Sequence, residues 1–379
     1  MSADVIFGYL RSMNDHKASD LYLTVGFAPT LRTETGFVKI EHKPLSAEEI
    51  NEIIAAMMTN RQKREFDTAM EMNSSLDMGQ HGRFRVNALR QRQNPALVIR
   101  RIISKIPSFA DLLLPKVLES LALEKRGMVL LTGMTGSGKS TTLASMIDFR
   151  NSMQEGHIIT IEDPIEYFHE HKKSVITQRE VGVDTESYST ALKNALRQRP
   201  DVILVGEIRD REVMEQALMA SETGHLCLAT IHTNNAYQAI ERILNMFPEE
   251  SSQQIRLGLS ANLKAIISQR LIPATNGSMV PAIEVMLNQG LVRELIMKGE
   301  LPRIKDVMEQ NNSLGMCTFD QSLLKLYNEN RITSETALAN SDRPTDMKLR
   351  LQQSNLSGTK SRGAEGLHKL DVSVISFKD

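Results

Sequence analysis

Eight consecutive residues, Gly133-Met134-Thr135-Gly136-Ser137-Gly138-Lys139-Ser140, match the pattern GxxxxGK[ST] in full. Glycines let backbone N–H groups wrap phosphate oxygens, and a helix starting behind them turns its positive end toward the same charge. Lys139 would reach the β- and γ-phosphates and Ser140 would complete a Mg²⁺ shell, so the loop from Gly133 to Thr141 is expected to cradle a nucleoside triphosphate. The flanks agree: the apolar run Met128–Thr132 reads as a strand, and Thr141–Met153 reads as a helix. A glycine-rich turn matching by chance is the alternative, and the strand and helix on its two sides weigh against it.

Two further stretches place carboxylates behind apolar runs. Asp201-Val202-Ile203-Leu204-Val205-Gly206-Glu207 reads as a buried parallel strand that delivers Glu207 at its carboxyl end, where ligands sit in such sheets. There a carboxylate can hold Mg²⁺ through water or activate the attacking water. Ile161-Glu162-Asp163-Pro164-Ile165-Glu166 repeats the theme, as water-polarising acids or as a turn pair. His225 and His232 flank the strand-like run Leu226–Ile231, and His232 or Thr233 could sense the γ-phosphate; a structural histidine fits the same spacing. The stretch from Arg83 to Arg101 holds six arginines and no acid. It reads as arginine fingers, as an anion groove or as a solvated strand face, with fingers from one or two of them favoured beside a phosphate loop.

Elements must position these groups. Residues 1–105 read as a mixed α+β unit: a helix over Val5–Asn14, a strand over Asp20–Val25, a helix from the Ser46 capping box to Met58, and strands at Arg83–Val86 and Ala96–Ile103. Prolines 107 and 115 mark a linker over 106–116. From 117 to 340, strands at Val129–Thr132, His157–Ile161, Asp201–Val205 and Leu226–Ile231 alternate with helices at Ser140–Met153, Ser189–Arg197, Asp210–Ser221 and Ala236–Asn245, an α/β pattern with a largely parallel sheet. Ile255–Ser268, Val292–Gln310 and Phe319–Asn328 read as helices, and 341–379 as a polar flexible tail.

Composition narrows the class. The chain has 379 residues, 41% hydrophobic and 24% charged, enough for two or three packed domains at ~150 residues each. A net charge of −1 speaks against a nucleic-acid coat. The two cysteines, Cys227 and Cys317, make neither a CxxC pair nor a four-cysteine zinc site, and suit a reducing compartment. The apolar runs are strand-sized, far short of the ~20 residues of a membrane span, so a soluble cytoplasmic protein is expected.

Four boxes in order resemble one family, the hexameric secretion and pilus motor ATPases, and within it the type IV pilus retraction ATPases of the PilT/PilU group. Gly133–Ser140 resembles the Walker A box, Ile161–Glu166 the acidic box, Asp201–Asp210 the Walker B box, and Thr223-Gly224-His225 through His232-Thr233 the histidine box. The likeness runs from Ala18-Ser19-Asp20-Leu21-Tyr22-Leu23 to Leu314-Gly315-Met316. Pilus extension and type II secretion members usually carry a four-cysteine zinc motif, which this chain lacks. Asn288–Leu295, Lys298-Gly299-Glu300 and Leu314–Gln321 resemble the PilU side. Met134 stands where proline is common, and Gln93 where an arginine is often found.

The resemblance implies a PAS-like N-terminal α+β domain and a RecA-like P-loop ATPase domain with a helical C-terminal part. It implies ATP and Mg²⁺ as ligands, Glu162 and Glu207 in water-activating and Mg²⁺-supporting roles, Ser140 beside the metal, and His232, with His225 a further candidate, sensing phosphate. Arg85 and Arg100 fall where family fingers occur. It further implies a homohexamer on the cytoplasmic side of the inner membrane, a PilT paralogue and an inner-membrane platform protein as partners, membrane contact only through them, and no nucleic acid. Two other readings compete: an ATP-binding adaptor ring with little turnover, and a DNA-dependent ATPase using the arginine stretch.

Overall fold

The computed structural model describes residues 2–33, 35–40, 43–79, 82–102 and 105–358. The N-terminal part comprises α1 (Ser2–Asp15), β1 (Asp20–Thr24), β2 (Thr30–Thr33), β3 (Gly36–Lys39), α2 (Ala47–Met57), α3 (Asn60–Ala69), β4 (Glu71–Asp77), β5 (Arg83–Gln91) and β6 (Asn94–Ile102). Its strands form an antiparallel sheet in the order β3-β2-β1-β6-β5-β4. Alternation sends Leu21, Leu23, Phe84, Val86, Leu97 and Ile99 to the face covered by Leu10, Ile50 and Phe66 of the helices. Ser46 caps α2 as the sequence predicts: its Oγ accepts from the Glu49 N–H, and the Glu49 carboxylate accepts from the Ser46 N–H.

The second part opens with α4 (Val117–Ala122) and β7 (Gly127–Thr132), followed by α5 (Lys139–Met153), β8 (Gly156–Glu162), β9 (Ser174–Glu180), α6 (Tyr188–Ala195) and β10 (Val202–Val205). Then come α7 (Arg211–Glu222), β11 (Leu226–Ile231), α8 (Ala236–Leu244), α9 (Ser252–Asn262), β12 (Leu263–Pro273) and β13 (Met279–Leu287). The strand order is β13-β12-β7-β11-β10-β8-β9, parallel throughout except for the β12–β13 hairpin. Strands β7, β10 and β11 are buried along their whole length, which is why they read as continuous apolar runs. This RecA-like parallel sheet and the PAS-like antiparallel one make up the α/β architecture.

The C-terminal region differs from the expected run of helices. The helix read over Ile255–Ser268 ends at Asn262, and Leu263 begins β12, which pairs with β7 on one side and β13 on the other. A short apolar run such as Ala265-Ile266-Ile267 satisfies a buried helix and a buried strand equally, and the open edge of β7 decides for strand. The helix read over Val292–Gln310 is divided into α10 (Leu291–Lys298) and α11 (Ile304–Gln310) by Gly299, which adopts φ 77°, and by Pro302.

Helices α12 (Phe319–Asn328), α13 (Ser334–Asn340) and α14 (Pro344–Gly358) close the described chain. The expectation of a flexible tail from 341 fails over α14. Met347 and Leu351, one turn apart, are buried with Phe319, Leu323 and Ile332. Asp342 anchors the helix entry, bonding Arg270 at 2.9 Å and Lys305 at 2.8 Å. The remainder of that expected tail, 359–379, lies outside the described residues. No helix among the described residues is long and apolar enough to cross a membrane.

Candidate nucleotide site

Parallel strands deliver their carboxyl ends to one edge of a sheet. Here the ends of β7, β11, β10 and β8 lie side by side in that order. They carry, respectively, the glycine-rich loop, His232, Glu207 and Glu162. Residues distant in sequence thus meet around a cavity of about 310 Å³ lined by Lys139, Ser140, Glu162, Glu207 and His232.

The loop leaves β7 at Gly133, whose φ of 148° and close neighbours exclude a side chain: a Cβ would lie 2.4 Å from the Gln269 carbonyl and 2.5 Å from Ser137 Oγ. Helix α5 begins at Lys139, so its first N–H groups point into the loop. The buried Lys139 donates from Nζ to the carbonyls of Gly133 at 2.8 Å and Met134 at 3.0 Å. Burial lowers its pKa, while Glu207 and Glu166 pull it back up. Ser137 Oγ is buried without a hydrogen-bond partner, and the Met134 side chain points to solvent. Thr141 Oγ1 meets the Tyr167 hydroxyl at 2.9 Å.

Gln269, on β12, is a support that no local sequence signal announces. It is 4% exposed, and its Oε1 accepts from Thr142 Oγ1 at 2.8 Å in the first turn of α5. A second cavity of about 640 Å³ lies on that side of α5, lined by Gly138, Thr141, Thr142, Gln269, Leu113 and Arg331 among others.

The acids differ in environment. Glu162 accepts from Thr160 Oγ1 at 2.6 Å and from Gln178 Nε2 at 3.4 Å; burial nevertheless raises its pKa to about 7. Glu207 is held from both sides: the Arg209 guanidinium donates from Nε to one oxygen at 2.8 Å, and His232 Nε2 lies 3.2 Å from the other. Arg209 also reaches Asp163 at 3.4 Å, tying the two acidic stretches together. Burial and the Lys139 charge depress the His232 pKa, against the pull of Glu207. Gly206 lets β10 approach β8, since a Cβ there would stand 2.9 Å from the Tyr188 hydroxyl and 3.2 Å from the Glu162 Cα. Thr233 joins this edge to the loop strand, its N–H donating to Thr132 Oγ1 at 3.0 Å.

Three other candidates sit outside this cavity. His225 precedes β11 and so lies at the opposite edge of the sheet, where Nδ1 is 3.1 Å from the Ala220 carbonyl; the strand direction removes it as a phosphate sensor. Arg85 and Arg100 face each other across β5 and β6. Arg100 donates from Nε to Asp20 at 2.8 Å, and Arg85 lines a separate cavity with Asp163 and Glu180. Neither lines the Lys139 cavity of the same chain. Arg83 stacks over Phe168 at 4.5 Å, so the N-terminal sheet contacts the segment that follows the acidic stretch.

The residues fit a nucleotide with its metal. The glycines leave a cradle that a Cβ would fill, Ser137 Oγ is an unpartnered buried polar atom, and Ser140 and Glu207 supply the hard oxygen donors that Mg²⁺ prefers.

Comparison with known proteins agrees. The model of the family described as "Type II/IV secretion system protein" matches residues 41–323. The chain is 47% identical over 344 residues to the type IV pilus ATPase PilU of Pseudomonas aeruginosa, covering 90% of each chain. It is 41% identical over 320 residues to the type IV pilus retraction ATPase PilT of the same organism, covering 84% of this chain and 93% of that one. A crystal structure of the pilus retraction motor PilT with bound ADP superimposes with a TM-score of 0.86 at 39% identity, over 91% of this chain and 99% of the other. The chain belongs to the type II/IV secretion system protein family, in the PilT/PilU group of type IV pilus ATPases.

Proposed function

We propose that this protein is an ATP-hydrolysing motor for type IV pilus retraction, PilU-like and working with a PilT paralogue. The observation that carries the reading is the convergence of Lys139, Ser140, Glu162, Glu207 and His232 at one sheet edge. ATP binds with its phosphates in the loop from Gly133 to Thr141 and its nucleoside toward the cavity beside Thr142 and Gln269. Lys139 exchanges its two carbonyl partners for phosphate oxygens. Ser140 and Glu207 would hold Mg²⁺, which would supply charge neutralisation at the phosphates.

Glu162 is the group suited to take the proton from the attacking water, because its raised pKa keeps it a useful base near neutral pH. The water oxygen bonds to the γ-phosphorus as the bond to the β–γ bridging oxygen breaks, releasing ADP and phosphate. His232, bonded to Glu207, is positioned to register the loss of the γ-phosphate. Arg85 and Arg100 belong to a partner interaction: in a homohexamer they complete the nucleotide site of the neighbouring protomer.

The unit over 1–105 and the unit over 117–340 shift relative to each other through the linker 106–116 during turnover. That motion reaches the filament through an inner-membrane platform protein, which also places the ring on the cytoplasmic face. Deleting the chain from its host and measuring filament retraction tests this. Retraction is expected to weaken and to return with the wild-type chain but not with K139A; unaltered retraction in the deletion strain would contradict the reading.

A further inference from the structure

Among the described residues, helices α1 to α3 pack on the face of the N-terminal sheet that carries Leu21, Phe84 and Leu97. On its other face, register sets Asp20 of β1 opposite Arg100 of β6, and Arg100 opposite Arg85 of β5. Two arginines directly across from one another repel, and within the sheet the register places the Asp20 carboxylate next to Arg100. Both oxygens of that carboxylate are engaged. Asp20 is only 4% exposed, with Oδ2 accepting from Ser19 Oγ at 2.8 Å and Oδ1 from Arg100 Nε at 2.8 Å.

The nitrogen that Asp20 holds decides what Arg100 can do. Nε carries one of the five N–H donors of a guanidinium. The other four, on the terminal nitrogens, make no hydrogen bond among the described residues, and the side chain is 65% exposed. The bond to Asp20 raises the Arg100 pKa, and Glu166, which lines the Lys139 cavity, adds a weaker pull in the same direction. An arginine gripped at Nε has lost much of its rotamer freedom before a ligand arrives, yet keeps the paired nitrogens that recognise phosphate.

We propose that Asp20 is a positioning residue for the reaction: it holds Arg100 at Nε so that the terminal nitrogens are pre-set for phosphate charge. The inference rests on the reading of Arg100 as a phosphate-contacting arginine, and applies whether that phosphate lies in the same protomer or the next. Asp20 itself touches no substrate. Its contribution should therefore appear in kcat and vanish once Arg100 is removed.

The test is steady-state phosphate release by the full-length protein for R100A, D20N, D20E and the double variant D20N/R100A. R100A is expected to lower kcat about a hundredfold or more, as for other arginines that meet transition-state charge. D20N is expected to lower kcat about tenfold with the KM for ATP within twofold, D20E to recover part of that loss, and the double variant to match R100A alone. Normal kcat in D20N beside a slow R100A would overturn the inference. So would a D20N loss that repeats in full on the R100A background. Normal kcat in R100A would remove the Arg100 reading and this inference with it, while K139A judges the phosphate loop separately. Should D20N fail to fold, S19A removes the second contact to Asp20, together with a 3.2 Å bond to the Arg32 carbonyl, and a smaller kcat loss that again disappears without Arg100 is expected.

Discussion

His232 and Glu207 end adjacent parallel strands, and their side chains meet 3.2 Å apart at the carboxyl edge of the sheet. Arg209 holds the other oxygen of the same carboxylate at 2.8 Å. Glu207 is therefore a junction between the histidine stretch and the acidic stretch. Replacing it with glutamine keeps the shape and removes the charge. E207Q is expected to retain ADP binding, measured by titration, and to lose about a hundredfold or more in kcat. Normal turnover would exclude a role in the chemistry.

Glu162 gives the site a pH signature. With its pKa raised to about 7, the carboxylate form that accepts a proton grows as pH rises through that value. The acidic limb of kcat/KM, which reports the free protein, should bend near pH 7, and E162Q should be slow and lack that bend. A limb bending below pH 5 would assign the base elsewhere.

The same burial predicts how stability varies with pH. Glu162 and the fully buried Glu284 both have pKa values raised to about 7, above their ordinary 4.5. Between these values the folded chain holds protons that the unfolded chain has released, so the stability contribution of each group falls as pH rises toward 7. Thermal unfolding without nucleotide should show E284Q flattening that fall between pH 5 and pH 7. An unchanged slope would contradict the burial argument for Glu284.

Gln269 tests the support beneath the phosphate loop. Q269A leaves the buried Thr142 hydroxyl without its acceptor, at a cost of about 1–3 kcal/mol, and loosens the first turn of α5. Weaker ADP binding with a lowered unfolding temperature is expected. Wild-type affinity would show that β12 does not set the loop.

Met347 and Leu351 test the docking of α14. Replacing either buried side chain with alanine removes packing against Phe319, Leu323 and Ile332, with an expected loss of about 2–5 kcal/mol. Denaturant midpoints measure it. A midpoint unmoved in both variants would mean that the helix is loosely held.

The legible parts were those in which local chemistry and final placement coincide. The strand, glycine turn and lysine of the phosphate loop sit within a few residues of one another, and the Ser46–Glu49 capping box is closed over three. Apolar runs ending in Glu162, Glu207 and His232 identified the strands whose ends meet. What stayed hidden depends on distant pairing. Gln269 reaches the loop from 127 positions away, and Asp20 meets Arg100 across 80. Strand β9 sits at the sheet edge, and its mixed sequence Ser-Val-Ile-Thr-Gln-Arg-Glu lacks clean alternation. Helix α14 is polar enough to read as a tail, although the spacing of Met347 and Leu351 was already a one-face signal. His225 and His232 look equivalent in sequence, and only the direction of β11 separates them.

The most direct test of the account is steady-state phosphate release by the purified full-length protein with ATP and Mg²⁺, using K139A as the blank. Clear turnover by the wild-type chain and none above background in K139A are expected, because Lys139 is the buried cation of the loop. Equal turnover by the two proteins would contradict it.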